Sequence, residues 1–169
     1  MDHGFSRAME PWELSDGCIY LLRELSKARN QNEPKVAAKA ADLFVKHAMS
    51  MADLGFIDHF KHAASLKENL FKSMREIASP EGVGKKKFRG FVELFLDPAF
   101  RNTSHSSQNC ALAAQDFLME LNKVYGENIF RAIIEGHDSK YLETFDKIKA
   151  TAATGHQDFI YPTNQAAHP

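Results

Sequence analysis

The sequence predicts an all-α domain of six or seven helices stacked as antiparallel hairpins. Three observations carry this. Apolar residues recur at three- and four-residue steps through most of the chain. Nowhere do apolar and polar residues alternate cleanly over five or more positions, so no strand is expected. Proline and glycine fall between the periodic stretches, where they start or stop helices.

The first helix is expected from about Trp12 to Arg29, with Pro11 just ahead of it, where a missing N–H costs little. Leu14, Cys18, Leu21, Leu25 and Ala28 form its apolar stripe, and both Cys18 and Cys110 read as buried small side chains. Asn30, Gln31 and Asn32 break the pattern. A second helix, Pro34 to Asp53, buries Val36, Ala37, Ala40, Ala41, Phe44, Ala48 and Met51. Its alanines let a neighbouring helix approach closely, and Gly55 stops it. A third stretch, Phe56 to Ala78 with a break near His62, turns Phe60, Ala63, Leu66, Leu70, Met74 and Ile77 inward. Ser79 ends it, because a residue before proline is pushed out of helical geometry. Gly82 and Gly84 follow in a loop.

A short helix from Lys86 to Leu96 is expected to bury Phe88, Phe91, Val92 and Phe95 and to end at Asp97 and Pro98. Arg101 to Gln108 reads as a polar loop, with Ser106 or Ser107 capping the next helix. That helix, Gln108 to Tyr125, turns Ala111, Ala114, Phe117, Leu118, Leu121 and Val124 inward, and Gly126 stops it. Glu127 to Ile134 reads as a short turn or helix turning Ile129, Phe130 and Ile133 inward, and Gly136 to Ser139 as a joint. The last helix, Ser139 to Ala150, buries Tyr141 or Leu142, Phe145 and Ile148. Residues 1–11 are thus a flexible start, 12–150 the helical domain, and 151–169 a polar tail, mobile or draped on the body. Within the tail, Phe159, Ile160 and Tyr161 form an apolar segment that folds back into a groove or serves as a short peptide for another protein.

Composition bounds the function. At 169 residues, 44% hydrophobic and 25% charged, the chain fits one globular domain with a real core. Its 21 basic and 22 acidic residues leave a formal charge of -1, which argues against a general nucleic-acid binder. No run of about 18 apolar residues suggests a membrane span, and Met1 to Pro11 lacks a signal-peptide stretch. Two cysteines on helical stretches predict neither a disulfide framework nor a zinc knuckle, and fit a reducing, cytoplasmic setting.

Two regions echo one another: Ala40-Ala41-Asp42-Leu43-Phe44 leading to Gly55-Phe56-Ile57, and Ala113-Ala114-Gln115-Asp116-Phe117 leading to Gly126-Glu127-Asn128-Ile129-Phe130. Each reads as a small-residue helix, a glycine stop and an immediate apolar helix start, a hairpin of roughly forty to forty-five residues. With Asp97-Pro98 ahead of Asn109-Cys110-Ala111-Leu112-Ala113-Ala114, the chain from Pro34 to Ala150 resembles HEAT and armadillo repeats. The loop from Asn102 to Gln108 is longer than that family's turn, and its Val-Arg pair is missing. The resemblance implies a short α-solenoid of antiparallel hairpins. A narrower likeness runs from Trp12-Glu13-Leu14-Ser15-Asp16-Gly17 to repeat units in the tails of Fused-type and Unc-51-like kinases, which are linked with cilia and microtubule assemblies. TOG-type arrays, the tubulin-binding variety of HEAT domain, place a tryptophan and basic residues in loops along one edge. Trp12 and Lys85-Lys86-Lys87 match those residue types.

Candidate chemistry is sparse. His59 and His62 could share a helical face with His47 nearby, yet no completing acid or thiolate accompanies them, and solvated histidines are the simpler reading. His105 between serines lacks a nucleophile elbow, and Gly82-Val83-Gly84-Lys85 lacks phosphate-loop spacing. Lys85, Lys86, Lys87 and Arg89 form the one dense basic cluster, suited to an acidic protein surface, with Phe88 and Phe91 as anchors that fix where the cations point. The expectation is a non-catalytic protein-binding scaffold without cofactor or metal, contacting its partner through Lys85, Lys86, Lys87, Arg89 and Trp12 or the outer faces of the second and fifth helices. Tubulin or a ciliary protein is the narrower alternative. A helical-bundle enzyme or ligand carrier is the other, and would place polar groups on the inward stripes.

Overall fold

The computed structural model describes the backbone of residues 8–167 and the side chains of residues 8–154. Among the described residues all regular structure is helical. The order is α1 (Pro11–Ser26), α2 (Pro34–Leu54), α3 (Ala63–Ala78), the single turn α4 (Lys85–Phe88), α5 (Val92–Asn102), α6 (Gln108–Tyr125), α7 (Glu127–Asp138) and α8 (Tyr141–Ala167). Short 3-10 turns at Ala28–Gln31 and Arg89–Phe91 link α1 to α2 and α4 to α5.

Local chemistry sets several of these ends. Pro11 and Pro34 open α1 and α2 in the first turn. The Ser107 hydroxyl caps α6 by accepting from the Cys110 N–H at 3.5 Å. Gly126, at φ 86°, both ends α6 and starts α7, a left-handed corner that glycine takes without strain.

The helices pack in two rows. In one, α1 lies against α3, α3 against α6 and α6 against α8; in the other, α2 lies against α5 and α5 against α7. Chain neighbours α1–α2, α2–α3, α5–α6, α6–α7 and α7–α8 join the rows, and the α3–α6 contact is the most extensive. Between the rows runs a phenylalanine spine: Phe44 stacks on Phe88 at 5.2 Å, Phe88 on Phe95 at 5.8 Å, and Phe117 meets Phe95 and Phe71 at 6.2 Å. Phe130 and Phe145, edge to face at 5.2 Å, extend it between α7 and α8. Ala40, Ala41, Ala48 and Ala52 on α2 are buried, as the small-residue reading requires.

Several expectations need correction. The stripe Leu14, Cys18, Leu21, Leu25 is not α1's core face: Leu14 is 61% and Leu21 56% exposed, and Cys18 is exposed. Ile19 and Ser26 are buried instead, with Trp12 and Leu22 packed on the core. Ile129 faces out at 59%, and Val36 is exposed. The third helix starts at Ala63, not Phe56, so Gly55 is not followed at once by a helix as Gly126 is. The two echoed helices also fall in different rows, α2 in one and α6 in the other.

Pro98 does not end a helix. It lies inside α5, which runs on to Asn102, so the loop before α6 is shorter than Arg101 to Gln108. Proline removes one backbone hydrogen bond and crowds the carbonyl four residues back, that of Leu94, and tertiary contacts outweigh that cost here. Pro98, Ala99 and Phe100 are buried, and the Asn102 amide donates to the Pro98 carbonyl at 2.7 Å and the Gly55 carbonyl at 2.8 Å. Gly136 lies within α7, and α8 continues past Ala150. The side chains of Phe159, Ile160 and Tyr161, like residues 1–7, lie outside the described residues.

Candidate partner-binding surfaces

The basic cluster sits where α3 turns into α4. Ser79 leaves helical geometry before Pro80, and the chain folds back on the end of α3: the Gly82 N–H donates to Ser79 O at 3.0 Å and the Val83 N–H to Ile77 O at 2.8 Å. Three further ties fix the loop. Arg29 donates to Pro80 O at 2.6 Å, the Tyr125 hydroxyl donates to Lys85 O at 2.7 Å, and Phe88 is fully buried in the spine. Burial pushes the Tyr125 phenol up to about 12, so it remains a donor across the ordinary pH range. Lys85, Lys86 and Lys87 therefore project from an anchored backbone, exposed.

Among the described residues none of these three ammonium groups has an ion-pair partner. Arg89 differs: its Nη1 donates to both Glu93 carboxylate oxygens, at 2.8 and 3.0 Å. The cluster gains other cations instead. A cleft of about 800 Å³ beside it is lined by Arg29, Arg75, Lys85 and Lys123, together with Glu76, Glu81 and Glu120. Sequence reasoning missed Arg29 and Lys123 because they come from the turn after α1 and from α6, and no local pattern links them.

Trp12 is not part of this edge. It stacks on His62 at 4.4 Å, approaches Phe60 at 6.4 Å and donates from Nε1 to Glu10 at 2.8 Å, all at the start of α3. The lysines follow the end of α3, and its 16 residues rise about 24 Å. The structure thus places Trp12 and Lys85–Lys87 at opposite ends of one helix. His62 is part of an aromatic stack, while His47 and His59 are exposed on α2 and the following loop. Among the described residues no group of three His, Cys, Asp or Glu side chains could hold a metal ion.

The misplaced stripe of α1 builds a second surface. Leu14, Cys18, Leu21, Leu22 and Leu25 form one wall of an open groove of about 480 Å³, and Leu43, His47, Ser50, Met51 and Leu54 of α2 form the other. Leu14, Leu21 and Leu43 are 61%, 56% and 39% exposed there.

Two polar clusters serve the fold. Asp58, in the loop after α2, takes the ammonium of Lys67, which is only 1% exposed, and accepts from Arg101 at 3.2 Å. The Lys67 hydrogen bond holds the Asp58 carboxyl below the usual carboxylate range. Asp97 accepts from the Tyr141 hydroxyl at 2.6 Å and pairs with His137 at 3.0 Å, tying α5 to α7 and α8. Burial alone would raise Asp97, but these two hydrogen bonds outweigh it and the carboxyl is lowered. Cys110 is buried and its thiol is pushed up by that burial, the inert state expected of it; Cys18 is exposed, against expectation.

No helix of the described residues is long and apolar enough to cross a membrane. No protein family, curated protein or solved structure matches the chain.

Proposed function

We propose that the chain is a non-catalytic protein-binding module of helical-repeat type, a short α-solenoid of antiparallel hairpins whose exterior does the work. The alternation of α1, α3, α6 and α8 with α2, α5 and α7 in two rows supports the architecture. Five buried polar side chains are held by the fold: Ser26 donates to Arg23 O at 2.7 Å, Thr103 to Phe100 O at 2.8 Å, Ser73 to Asn69 at 3.1 Å, and Lys67 and Asn102 are held as described.

One observation carries the reading: three exposed lysines without ion-pair partners on α4, a single turn tied down at both sides. Lysines on an anchored backbone lose only side-chain freedom on meeting an acidic protein segment, and the attraction is screened by salt. A fluorescent polyglutamate peptide is the probe. Binding should weaken as salt rises from 50 to 200 mM. The variant Lys85→Glu/Lys86→Glu/Lys87→Glu, exposed and therefore folded, should lose at least tenfold in affinity. Equal affinity in that variant refutes the reading. Tubulin tails are one acidic surface of this kind, and salt-sensitive co-sedimentation with microtubules tests that narrower proposal. Trp12, at the other end of α3, should contribute nothing to either assay.

A further inference from the structure

We infer that the α1–α2 face is a self-association surface, joining two copies of this chain about a two-fold axis that runs along the groove. The inference is independent of the lysine edge. On α1, residues 14, 18, 21 and 25 step by four, three and four. On α2, residues 36, 43, 47, 50 and 54 repeat the same heptad positions. Both stripes point outward: Leu14, Cys18, Leu21, Val36, Leu43, His47 and Ser50 are all exposed. Heptad stripes of this kind pack against another helix. What the groove needs, a helix with an apolar heptad stripe, α1 itself supplies.

Charge selects the arrangement. The outer edge of α1 carries Glu24, which pairs with Lys27 at 3.1 Å and Arg23 at 3.4 Å within its own chain, while that of α2 carries Lys35, Lys39 and Lys46 against Asp42 and Asp53. Among the described residues Lys35, Lys39 and Lys46 have no ion-pair partner. Hydrogen bonding to Lys27 lowers the Glu24 carboxyl, so it stays charged. A two-fold axis along the groove lays α1 of each copy over α2 of the other. Leu25 then meets the Leu43 level, Leu14 the Leu54 level, and Glu24 faces the Lys46 edge. The alternative axis, across the helices, would set α2 against α2 and bring like-charged lysine edges together.

Size sets the strength. From Val36 to Leu54 the α2 stripe spans about 27 Å, and two helices side by side are about 20 Å wide, roughly 540 Å² before side-chain relief is added. Stable partners bury about 800 Å² each, so the dimer belongs at the low end of specific interfaces, with dissociation in the micromolar range.

Sedimentation velocity from 1 to 200 µM tests this. The wild-type chain should move from monomer to dimer across that range. Leu14→Glu/Leu21→Glu should stay monomeric with an unchanged melting curve, because both positions are open to solvent. Lys46→Glu should weaken dimerisation several-fold. A wild-type chain that is monomeric at 200 µM, leaving the groove to a helix of another protein, overturns the inference. So does a Leu14→Glu/Leu21→Glu variant that dimerises as well as wild type. The Lys85→Glu/Lys86→Glu/Lys87→Glu variant should dimerise normally, so loss of polyglutamate binding and loss of the dimer fail separately.

Discussion

Replacing Gly82 with alanine tests the loop that leads into α4 and its lysines. A Cβ at this position would lie 2.3 Å from the Ile77 carbonyl oxygen, 2.5 Å from that of Glu76 and 2.7 Å from the Ile77 carbonyl carbon. Ordinary carbon–oxygen contact begins near about 3.3 Å, so the methyl arrives about 1 Å too close to backbone that cannot rotate away. The loop must retreat by about that distance. The Val83 N–H to Ile77 O bond, now 2.8 Å, would then stretch beyond hydrogen-bonding range. One lost bond costs about 0.5–1.5 kcal/mol and overpacking about 1–3 kcal/mol, together about 2–4 kcal/mol. At about 2–4 °C per kcal/mol for a chain of this size, Tm should fall by about 5–15 °C, read by circular dichroism at the helical band. Gly17→Ala is the control. Nothing lies within 4 Å of its added methyl and it sits inside α1, so the variant should gain about 0.5–1 kcal/mol. A Gly82→Ala protein that melts with wild type would refute the description of the loop, and with it the claim that the lysines stand on fixed backbone.

Two further outcomes follow from the buried polar groups. The Asp58 carboxyl is held low by the Lys67 hydrogen bond, so its stabilising contribution is full above the unfolded value near about 4 and is lost as pH falls through the lower folded one. Asp58→Asn should lower the urea midpoint at pH 7 and flatten its decline between about pH 5 and 3, and parallel declines in variant and wild type would count against the pair. The native protein should release one equivalent in a thiol–disulfide exchange assay, from exposed Cys18, and a second, from Cys110, only in denaturant. Two rapid equivalents from native protein would mean that Cys110 is not enclosed.

Periodicity captured the helices whose apolar face is single. On α3 the inward residues Leu66, Leu70, Met74 and Ile77 are all buried, and α6 begins and ends at Gln108 and Tyr125, as Ser107 and Gly126 imply. Local rules failed where distant contacts overruled them. The Asp97-Pro98 pair reads as a stop, yet Asn102 clamps the helix to Gly55, and nothing near Pro98 in sequence announces a partner 47 residues away. The same holds for Lys67, an ordinary surface residue by type, whose burial depends on Asp58 waiting in the preceding loop. The basic edge was visible only in its contiguous part, because Lys85, Lys86 and Lys87 adjoin in the chain while Arg29 reaches the cleft from the 3-10 turn after α1 and Lys123 from α6.

The first helix shows why a stripe can be read correctly and placed wrongly. α1 carries two faces at helical spacing: Leu14, Cys18, Leu21 and Leu25, and Trp12, Ile19, Leu22 and Ser26. The first is the more apolar by composition, and a rule that ranks faces by hydrophobicity chooses it. The fold buries the second: Asn69 of α3 donates to Asp16 O at 3.0 Å and to its carboxylate at 2.9 Å, Arg23 pairs with Glu76 at 3.3 Å, and the buried Ser26 hydroxyl is satisfied within α1 by Arg23 O at 2.7 Å. Trp12 and Leu22 then cover the core edge. A chain that turns its best leucine stripe to solvent while burying a serine gives up the hydrophobic stabilisation of three or four side chains, about 1.5–3 kcal/mol for each one fully buried. That loss is recovered when the stripe meets another surface, which is why the face of α1 and α2 is better explained by a second molecule than by the fold of one.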